Sequence, residues 1–198
     1  EALRAQAVAA RAEALLALIT GKYAGKNHDI GSDVDSQAYT GNTKRTPESD
    51  EAVRATRGLA LYFEDKPLAA YYASSCGGHS EDIRNVWPER AMEKGYWDTA
   101  GFDSDIEFSC DLTKEDDLRE WIASSPETFC NPEKFEVPEW ASKNFRWERE
   151  VTAEEITKWV AAKQDVGRVT AIRALRRGPS GRMIEAEFVG EKGTFRTG

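Results

Sequence analysis

Histidine, cysteine and methionine are scarce in this 198-residue chain, which contains two, three and two of them respectively. A zinc site built mainly from histidines is therefore excluded, although a mixed site of His28, His79 and cysteines stays conceivable. The cysteines show neither a CxxC pair nor another metal-ligand spacing. Two of the three could pair in an oxidising compartment, but the spacing of Cys76, Cys110 and Cys130 does not choose the pair.

Basic residues are also in the minority, with 27 Lys and Arg against 35 Asp and Glu and a formal net charge of −8. Phosphate binding requires a basic stripe, so we expect no nucleic-acid partner. No apolar run approaches the roughly 20 residues of a membrane helix, and we expect no membrane span in this segment. The chain begins without Met, inside an amphipathic pattern and without a visible signal peptide. We expect it to be a fragment of a longer protein.

Aromatic residues are plentiful, and hydrophobic residues make up 40% of the chain, as in ordinary globular proteins. Periodicity and capping signals predict helices over residues 1–20, 48–56, 113–124 and 152–163. The first is rich in alanine, and its apolar face is predicted to consist of Leu3, Ala7, Ala10, Ala14 and Leu18. The predicted caps of the other three are Ser49, Thr113 and a Thr152–Glu155 capping box, respectively. In the last two helices Leu118, Trp121, Ile122, Ile156, Trp159 and Val160 are predicted to face inward.

Strands are predicted at 59–63 and 68–73, around a turn at 64–67, and at 168–175, 183–189 and from Thr194 onward. The fold class is therefore α+β, with the alanine-rich helix packed on antiparallel strands. Residues 101–150 are acidic, contain Trp and Pro, and are predicted to be an irregular insertion or subdomain. Residues 1–100 then form a core with the site motifs, and residues 151–198 complete it.

Residues 71–82 (YYASSCGGHSED) run from an apolar segment into small polar residues and two glycines. Such a pattern is typical of a tight turn, but it can also bring side chains and free N–H groups to a cleft. Ser75 or Cys76 with His79 and Asp82 are the residue types of a serine or cysteine hydrolase. The basic cluster of Arg176, Arg177 and Arg182 either solvates a hairpin tip or meets an anionic group.

Four segments, in this order, resemble motifs of the SpoIID/LytB family of bacterial cell-wall proteins, the stage II sporulation protein D and amidase-enhancer group. They are residues 1–11 (EALRAQAVAAR), 36–41 (SQAYTG), 52–58 (AVRATRG) and 74–81 (SSCGGHSE), the last followed by Trp87. The family counterparts are EALKAQAVAAR, CQVYxG, AVxxTxG and SSSGGxTE. Residues 129–131, 145–147 and 177–182 also resemble segments of members that carry the Cys-Gly-Gly variant.

The resemblance implies an envelope, extracellular or periplasmic protein of a bacterium, with peptidoglycan glycan strands and other cell-wall proteins as partners. Some members are lytic transglycosylases with one glutamate as general acid and base, and others enhance an amidase without known activity of their own. That glutamate is expected a few residues before Glu1, so no catalytic residue is assigned within the chain. The residues expected to bind substrate are Gln6, Arg11, Gln37, Tyr39, Ser74, Ser75, Gly77 and Gly78.

The resemblance also bears on the cysteines. Members with the Cys-Gly-Gly variant have a second cysteine in the segment matched by residues 129–131, which implies a Cys76–Cys130 disulfide, with Cys110–Cys130 as the alternative. Zinc-containing members supply a cysteine where this chain has Ser36. No metal and no cofactor are therefore expected.

Overall fold

The structure is a computed structural model, and it describes residues 1–68, 70–88 and 100–198. By their contacts these residues separate into two units, Glu1–Tyr72 and Ala73–Gly198. The division into 1–100, 101–150 and 151–198 stays a prediction. Helices and small antiparallel sheets occur together, which confirms the α+β class. None of the described helices is both long and apolar enough to cross a membrane.

The first unit is organised on helix α1 (Ala2–Thr20), which ends at Gly21 with a left-handed φ of 62° and packs on α2 (Pro47–Ala55). The buried residues of α1 are Ala9, Ala12 and Ala17. The predicted apolar face is wrong at its ends, because Leu3 and Leu18 are about half exposed. The packed face of this helix therefore consists of alanines, whose small side chains allow another backbone to approach closely.

Two local predictions in this unit are corrected. Thr46, not Ser49, is the N-cap of α2; Ser49 lies at N3 and completes the capping box through its hydroxyl. The hairpin is also shorter than predicted, with β1 (Tyr62–Phe63) and β2 (Lys66–Pro67). Its turn is Glu64-Asp65, and both residues have positive φ, as a two-residue turn of type I′ requires. Of the predicted second strand, Ala69 lies outside the described residues and 70–73 are not in a strand.

The second unit contains two small sheets and four helices among its described residues. One sheet pairs β3 (His79–Ser80) with β4 (Gly101–Phe102), and the other has three antiparallel strands. The helices are α3 (Ile83–Val86), α4 (Glu115–Ala123), α5 (Glu139–Ser142) and α6 (Ala153–Ala161). The larger sheet consists of β5 (Val169–Arg177), β6 (Met183–Gly190) and β7 (Gly193–Thr197).

Helix α6 and the three-stranded sheet enclose an apolar core of Val160, Val166 and Val169, with Ile156, Phe188 and Phe195 against it. The predicted capping box of α6 is confirmed, because Thr152 and Glu155 each accept a hydrogen bond from the other's backbone N–H. The Trp159 ring is half exposed, but it also packs on Phe188 at 5.3 Å between centroids.

Helix α4 begins two residues later than predicted, and Thr113 is not its cap. The Thr113 hydroxyl donates to Asp111 instead, at 2.6 Å. Leu118 and Trp121 are buried as predicted, whereas Ile122 is 56% exposed. Trp121 packs against Phe102 and Phe108, so this aromatic cluster lies beside the β3–β4 pair.

Candidate functional site

The predicted site residues fall in both units, and each set is described within its own unit. In the first unit, a cleft of about 380 Å³ lies between α1 and the segment 30–39. Ten residues line it: Ala10, Glu13, Ala14, Ala17, Ile30, Gly31, Ser32, Ser36, Gln37 and Tyr39. Of the predicted substrate-binding residues, Gln37 and Tyr39 are therefore brought together.

Polar contacts hold the loop side of this cleft in place. Gln37 donates from Nε2 to the Ala10 carbonyl of α1 at 3.0 Å, and the Tyr39 N–H donates to Ser32 at 2.9 Å. Ser36 is 2.6 Å from the Tyr23 hydroxyl, so the residue at the family's cysteine position has a hydrogen-bonding role here. The Tyr39 side chain is left 70% exposed at the cleft.

Arg11 and Gln6 are not among the residues that line this cleft. The Arg11 guanidinium donates to the Thr56 carbonyl at 2.8 Å and to the Leu59 carbonyl. It thereby joins α1 to the C-terminal end of α2, where a cation is favourable. The geometry gives Arg11 a role in packing, and substrate contacts by Arg11 and Gln6 stay predictions.

In the second unit, the predicted residues belong to the segment 74–82, called the glycine loop below. Gly77 and Gly78 have φ values of 72° and 99°. A side chain at Gly78 would put Cβ 2.8 Å from Trp121 Cζ2 and 3.1 Å from Thr128 Cγ2. Gly78 is buried, so its lack of a side chain allows close packing on Trp121 rather than exposing a backbone amide.

Two arginines hold the glycine loop by its carbonyl groups. Arg146 donates to Gly77 at 2.9 Å, and Arg182 donates to Cys76 at 2.8 Å and to His79 at 3.1 Å. Both arginines lie in segments that resemble the family, but the motifs carry no sign of these contacts. Arg177 likewise donates to the Gly181 carbonyl at 2.8 Å and pairs with Glu115, so the predicted basic cluster is largely engaged within the fold.

The two serines of the loop differ in exposure. Ser74 is exposed and accepts a hydrogen bond from the Asn144 side chain at 3.1 Å. Ser75 is half-buried and its hydroxyl accepts from the Gly77 N–H at 3.3 Å. Their predicted role as sugar contacts stays a prediction.

The geometry does not support a hydrolase centred on His79. The ring is buried edge-on against Phe102 at 4.4 Å, and Nδ1 lies 2.7 Å from the Ser80 carbonyl oxygen. Burial lowers the pKa of His79. Asp82 accepts from the Arg84 backbone and side chain at the start of α3. The described hydrogen bonds of the Cys76 thiol are to Asp103 and Cys130, and none of them is to His79.

Glu81 also has structural partners. Its carboxylate accepts from the Asp82 N–H at 2.9 Å, from Asn85 at 2.8 Å and from the Ser180 hydroxyl. A Cβ at Gly178 would overlap Glu81 Oε1, so the β5–β6 turn approaches this carboxylate closely. This acid therefore joins the glycine loop to the larger sheet.

The side chains of this unit best suited to redox or metal chemistry are Cys76, Asp103 and Cys130. Cys76 Sγ lies 3.5 Å from Asp103 Oδ2 and 3.8 Å from Cys130 Sγ. All three cysteines of the chain are free thiols in the structure, and the disulfide stays a prediction. The proximity favours the Cys76–Cys130 pair over Cys110–Cys130.

The two neighbouring thiols differ in acidity. Hydrogen bonding from Cys76, together with Ser75 and Thr128, lowers the pKa of Cys130 to about 6. Donation to Cys130 and burial raise the pKa of Cys76. Of the two sulfurs, Cys130 is therefore the more readily deprotonated.

Comparison with known families agrees with the two units. Residues 1–63 match the SpoIID model, described as stage II sporulation protein, which confirms the resemblance found in the motifs. Residues 81–198, more than half of the chain, match a domain of unknown function, DUF8618. The chain thus belongs to the DUF8618 family and carries a SpoIID region before it. The SpoIID match suggests a sporulation-related role at the cell wall.

A curated relative is the uncharacterized protein BHWA1_00569 of Brachyspira hyodysenteriae (strain ATCC 49526 / WA1). It is 36% identical over 88 residues, which are 44% of this chain and 23% of that protein. The matched region thus spans less than a quarter of the relative's length. No solved structure matches the chain.

Proposed function

We propose that this chain takes part in processing peptidoglycan glycan strands, in a protein of the lytic transglycosylase type. The observation that carries the proposal is the cleft of the first unit, formed by two segments of the SpoIID match. The general acid is the glutamate that the family resemblance places before Glu1. A bacterial cell-envelope, extracellular or periplasmic location, and cell-wall proteins as further partners, belong to the same proposal.

The cleft has the chemistry of a sugar site. The exposed ring of Tyr39 offers a face on which a sugar ring can stack. Gln37 and Glu13 bring hydrogen-bond acceptors, and alanines of α1 supply a small apolar surface. Binding sites of this kind combine apolar contact area with a few placed polar groups.

The second candidate is a non-catalytic module that binds peptidoglycan or activates an amidase. It is favoured by the composition of the cleft, in which Glu13 is the one carboxylate among the described lining residues. The single general acid that a lytic transglycosylase needs is expected before Glu1, so the described cleft by itself supplies a surface for binding. Binding without cleavage is the behaviour that this candidate predicts.

The experiment incubates the full-length protein with purified glycan strands and analyses the products by mass spectrometry. A lytic transglycosylase leaves anhydromuramyl ends, which hydrolysis does not produce. Tyr39→Ala is expected to weaken strand binding by about 3–10-fold, the equivalent of one lost aromatic contact. The matched control is Tyr62→Ala, because Tyr62 is an exposed tyrosine of β1 that is not among the cleft residues.

The outcomes separate the candidates. Anhydromuramyl ends support the transglycosylase. Intact strands that are bound and depend on Tyr39 support the module. Strands cut to reducing ends, or binding that Tyr39→Ala leaves unchanged, would contradict the proposed use of the cleft.

A Cys76–Cys130 disulfide is a further part of this proposal, as the resemblance implies. The sulfur atoms are 3.8 Å apart, whereas a disulfide bond measures about 2.05 Å, so small side-chain rotations would have to bring them together. An oxidant of the envelope would accept the two electrons and two protons that the thiols release.

A further inference from the structure

Three potential metal ligands converge in the second unit, outside the cleft described above. They are Cys76, Asp103 and Cys130, and their ligand atoms all lie within 4.8 Å of one another. Each is half-buried, so the cluster is neither sealed in the core nor fully in solvent. Two thiolates and one carboxylate form a ligand set that favours a thiophilic divalent ion such as Zn²⁺.

The two separations from Cys76 Sγ match those of a tetrahedral zinc site. With Zn–S near 2.3 Å and Zn–O near 2.0 Å, tetrahedral angles place two sulfurs about 3.8 Å apart and a sulfur and an oxygen about 3.5 Å apart. The structure has 3.8 Å between Cys76 Sγ and Cys130 Sγ, and 3.5 Å between Cys76 Sγ and Asp103 Oδ2. One ion could therefore contact Cys76 and either neighbour at ordinary bond lengths.

The backbone holds the three ligand-bearing segments together before any ion binds. The Asp103 N–H donates to Gly78 of the glycine loop at 3.0 Å, and the Asp103 carbonyl accepts from the Phe129 N–H at 2.8 Å. Asp103 is thus bonded through its main chain to both segments that carry the cysteines. Preorganisation of this kind lowers the conformational entropy lost when a ligand binds.

Buried polar residues fix the segment that carries Cys130. Thr128 and Asn131 are fully buried. The Asn131 side chain donates to the Pro126 carbonyl at 2.7 Å and to the Ser125 hydroxyl at 3.0 Å. The Thr128 hydroxyl lies 3.9 Å from Cys130 Sγ, close enough to orient the sulfur from a second layer.

Nearby positive charge offsets the negative ligand set. Two thiolates and a carboxylate carry a charge of −3, and a divalent ion leaves −1. The guanidinium groups of Arg146 and Arg182 both lie within 4 Å of the Cβ position at Gly77, the residue next to Cys76. They belong to the fold already, because they hold the loop carbonyls.

We propose that the reduced protein binds one Zn²⁺ through Cys76, Asp103 and Cys130, with a fourth position taken by water. Both sulfurs bind as thiolates, so the protons that they still carry are released to solvent. Waters leave the hydrated ion as two Zn–S bonds and one Zn–O bond to Asp103 form. None of these three ligands belongs to the segment around Ser36, where zinc-containing relatives are expected to bind their metal. It also means that the same two thiols bind metal when reduced and form a disulfide when oxidised.

The test uses the purified chain, reduced with a phosphine and kept free of oxygen. Zinc bound after dialysis is measured by elemental analysis, and Co²⁺ is used as a spectroscopic probe. We expect one zinc per chain, and a cobalt spectrum with thiolate charge-transfer bands and the strong visible bands of tetrahedral coordination. Cys130→Ser and Asp103→Asn should each weaken zinc binding strongly. The loss should exceed the roughly 10–100-fold that is typical when a residue contacting a metal ligand, rather than the metal, is mutated.

Cys110→Ser is the matched control, because Cys110 is the one cysteine outside the cluster. It should bind zinc as the unaltered chain does, and circular dichroism with a chelator present should show all variants folded. Substoichiometric zinc in the reduced chain would overturn the proposal. So would equal binding by Cys130→Ser, or a cobalt spectrum that Asp103→Asn leaves unchanged.

Discussion

Gly77 and Gly78 are adjacent and both left-handed, but their surroundings differ. The Cβ position at Gly77 has no atom closer than 3.8 Å, whereas that at Gly78 meets Trp121 at 2.8 Å. Both residues would suffer backbone strain on substitution, and only Gly78 would also clash. Substitutions at the two glycines therefore distinguish the cost of backbone strain from the cost of a steric clash.

The first residue-scale prediction is that Gly78→Ala destabilises the protein by about 2–5 kcal/mol, the sum of the backbone and overpacking costs. The control, Gly77→Ala, should lose only about 1–2 kcal/mol, since it carries the backbone cost alone. Urea unfolding in the presence of a chelator measures both. Equal losses would show that the contact with Trp121 does not limit this position.

The second residue-scale prediction concerns acid. Hydrogen bonding from Arg84 holds the pKa of Asp82 below its usual range. Because the folded pKa is the lower one, this carboxylate stabilises the fold above the unfolded pKa, about 3.9, and that contribution is lost as the pH falls through the folded value.

Asp82→Asn is expected to lower the free energy of unfolding by about 1–2 kcal/mol at neutral pH, because asparagine can still cap α3 but loses the charge-assisted hydrogen bonds from the Arg84 side chain. The difference between the variant and the unaltered chain should shrink once the pH falls below about 4. Asp29→Asn, at an exposed position of the first unit, is the control and should be nearly neutral. A difference that persists unchanged in acid would contradict the assignment.

At the scale of elements, α4 and the glycine loop are joined by one side chain. Arg146 donates to the carbonyls of Trp121 and Ile122 in the last turn of α4, each at 3.1 Å, and to Gly77. Its guanidinium also lies 4.0 Å from the Phe145 ring centroid. The planar fork of arginine reaches several acceptors at once, which the single ammonium group of lysine cannot do.

Arg146→Lys should therefore destabilise the protein by about 2–3 kcal/mol, because charge-assisted hydrogen bonds to the backbone are lost. Arg119→Lys is the matched control; Arg119 is an exposed residue of α4 that pairs with Glu115 on the helix surface. Such a pair contributes only about 0.3–0.5 kcal/mol, so the control should be nearly neutral. Thermal unfolding of both variants measures the difference.

Elements also show where sequence patterns succeed. The β5–β6–β7 meander and the α6 capping box depend on neighbours along the chain, and they form close to where predicted. The inward face of α1 and the cap of α4 were predicted less well. Periodicity finds apolar positions, but the surrounding packing selects which of them are covered.

For the whole molecule, the net charge bears on one class of partner. A net charge of −8 disfavours phosphate backbones, so a nucleic-acid duplex tested beside glycan strands should not be retained. The SpoIID match covers residues 1–63, and the DUF8618 match covers 81–198. The proposed glycan cleft lies in the first region and the proposed zinc site in the second.

The sequence alone determined the α+β class, most helices, the three-stranded sheet and the SpoIID relationship, because these follow from local periodicity, capping residues and ordered motifs. The motifs also predicted substrate contacts at Gln37 and Tyr39, and these two residues line one cleft. Only the tertiary structure decided that Asp103 and two cysteines separated by 54 positions converge in one cluster. It also decided that Arg146 and Arg182 hold the glycine loop, since contacts between distant residues leave no periodic signal in the chain.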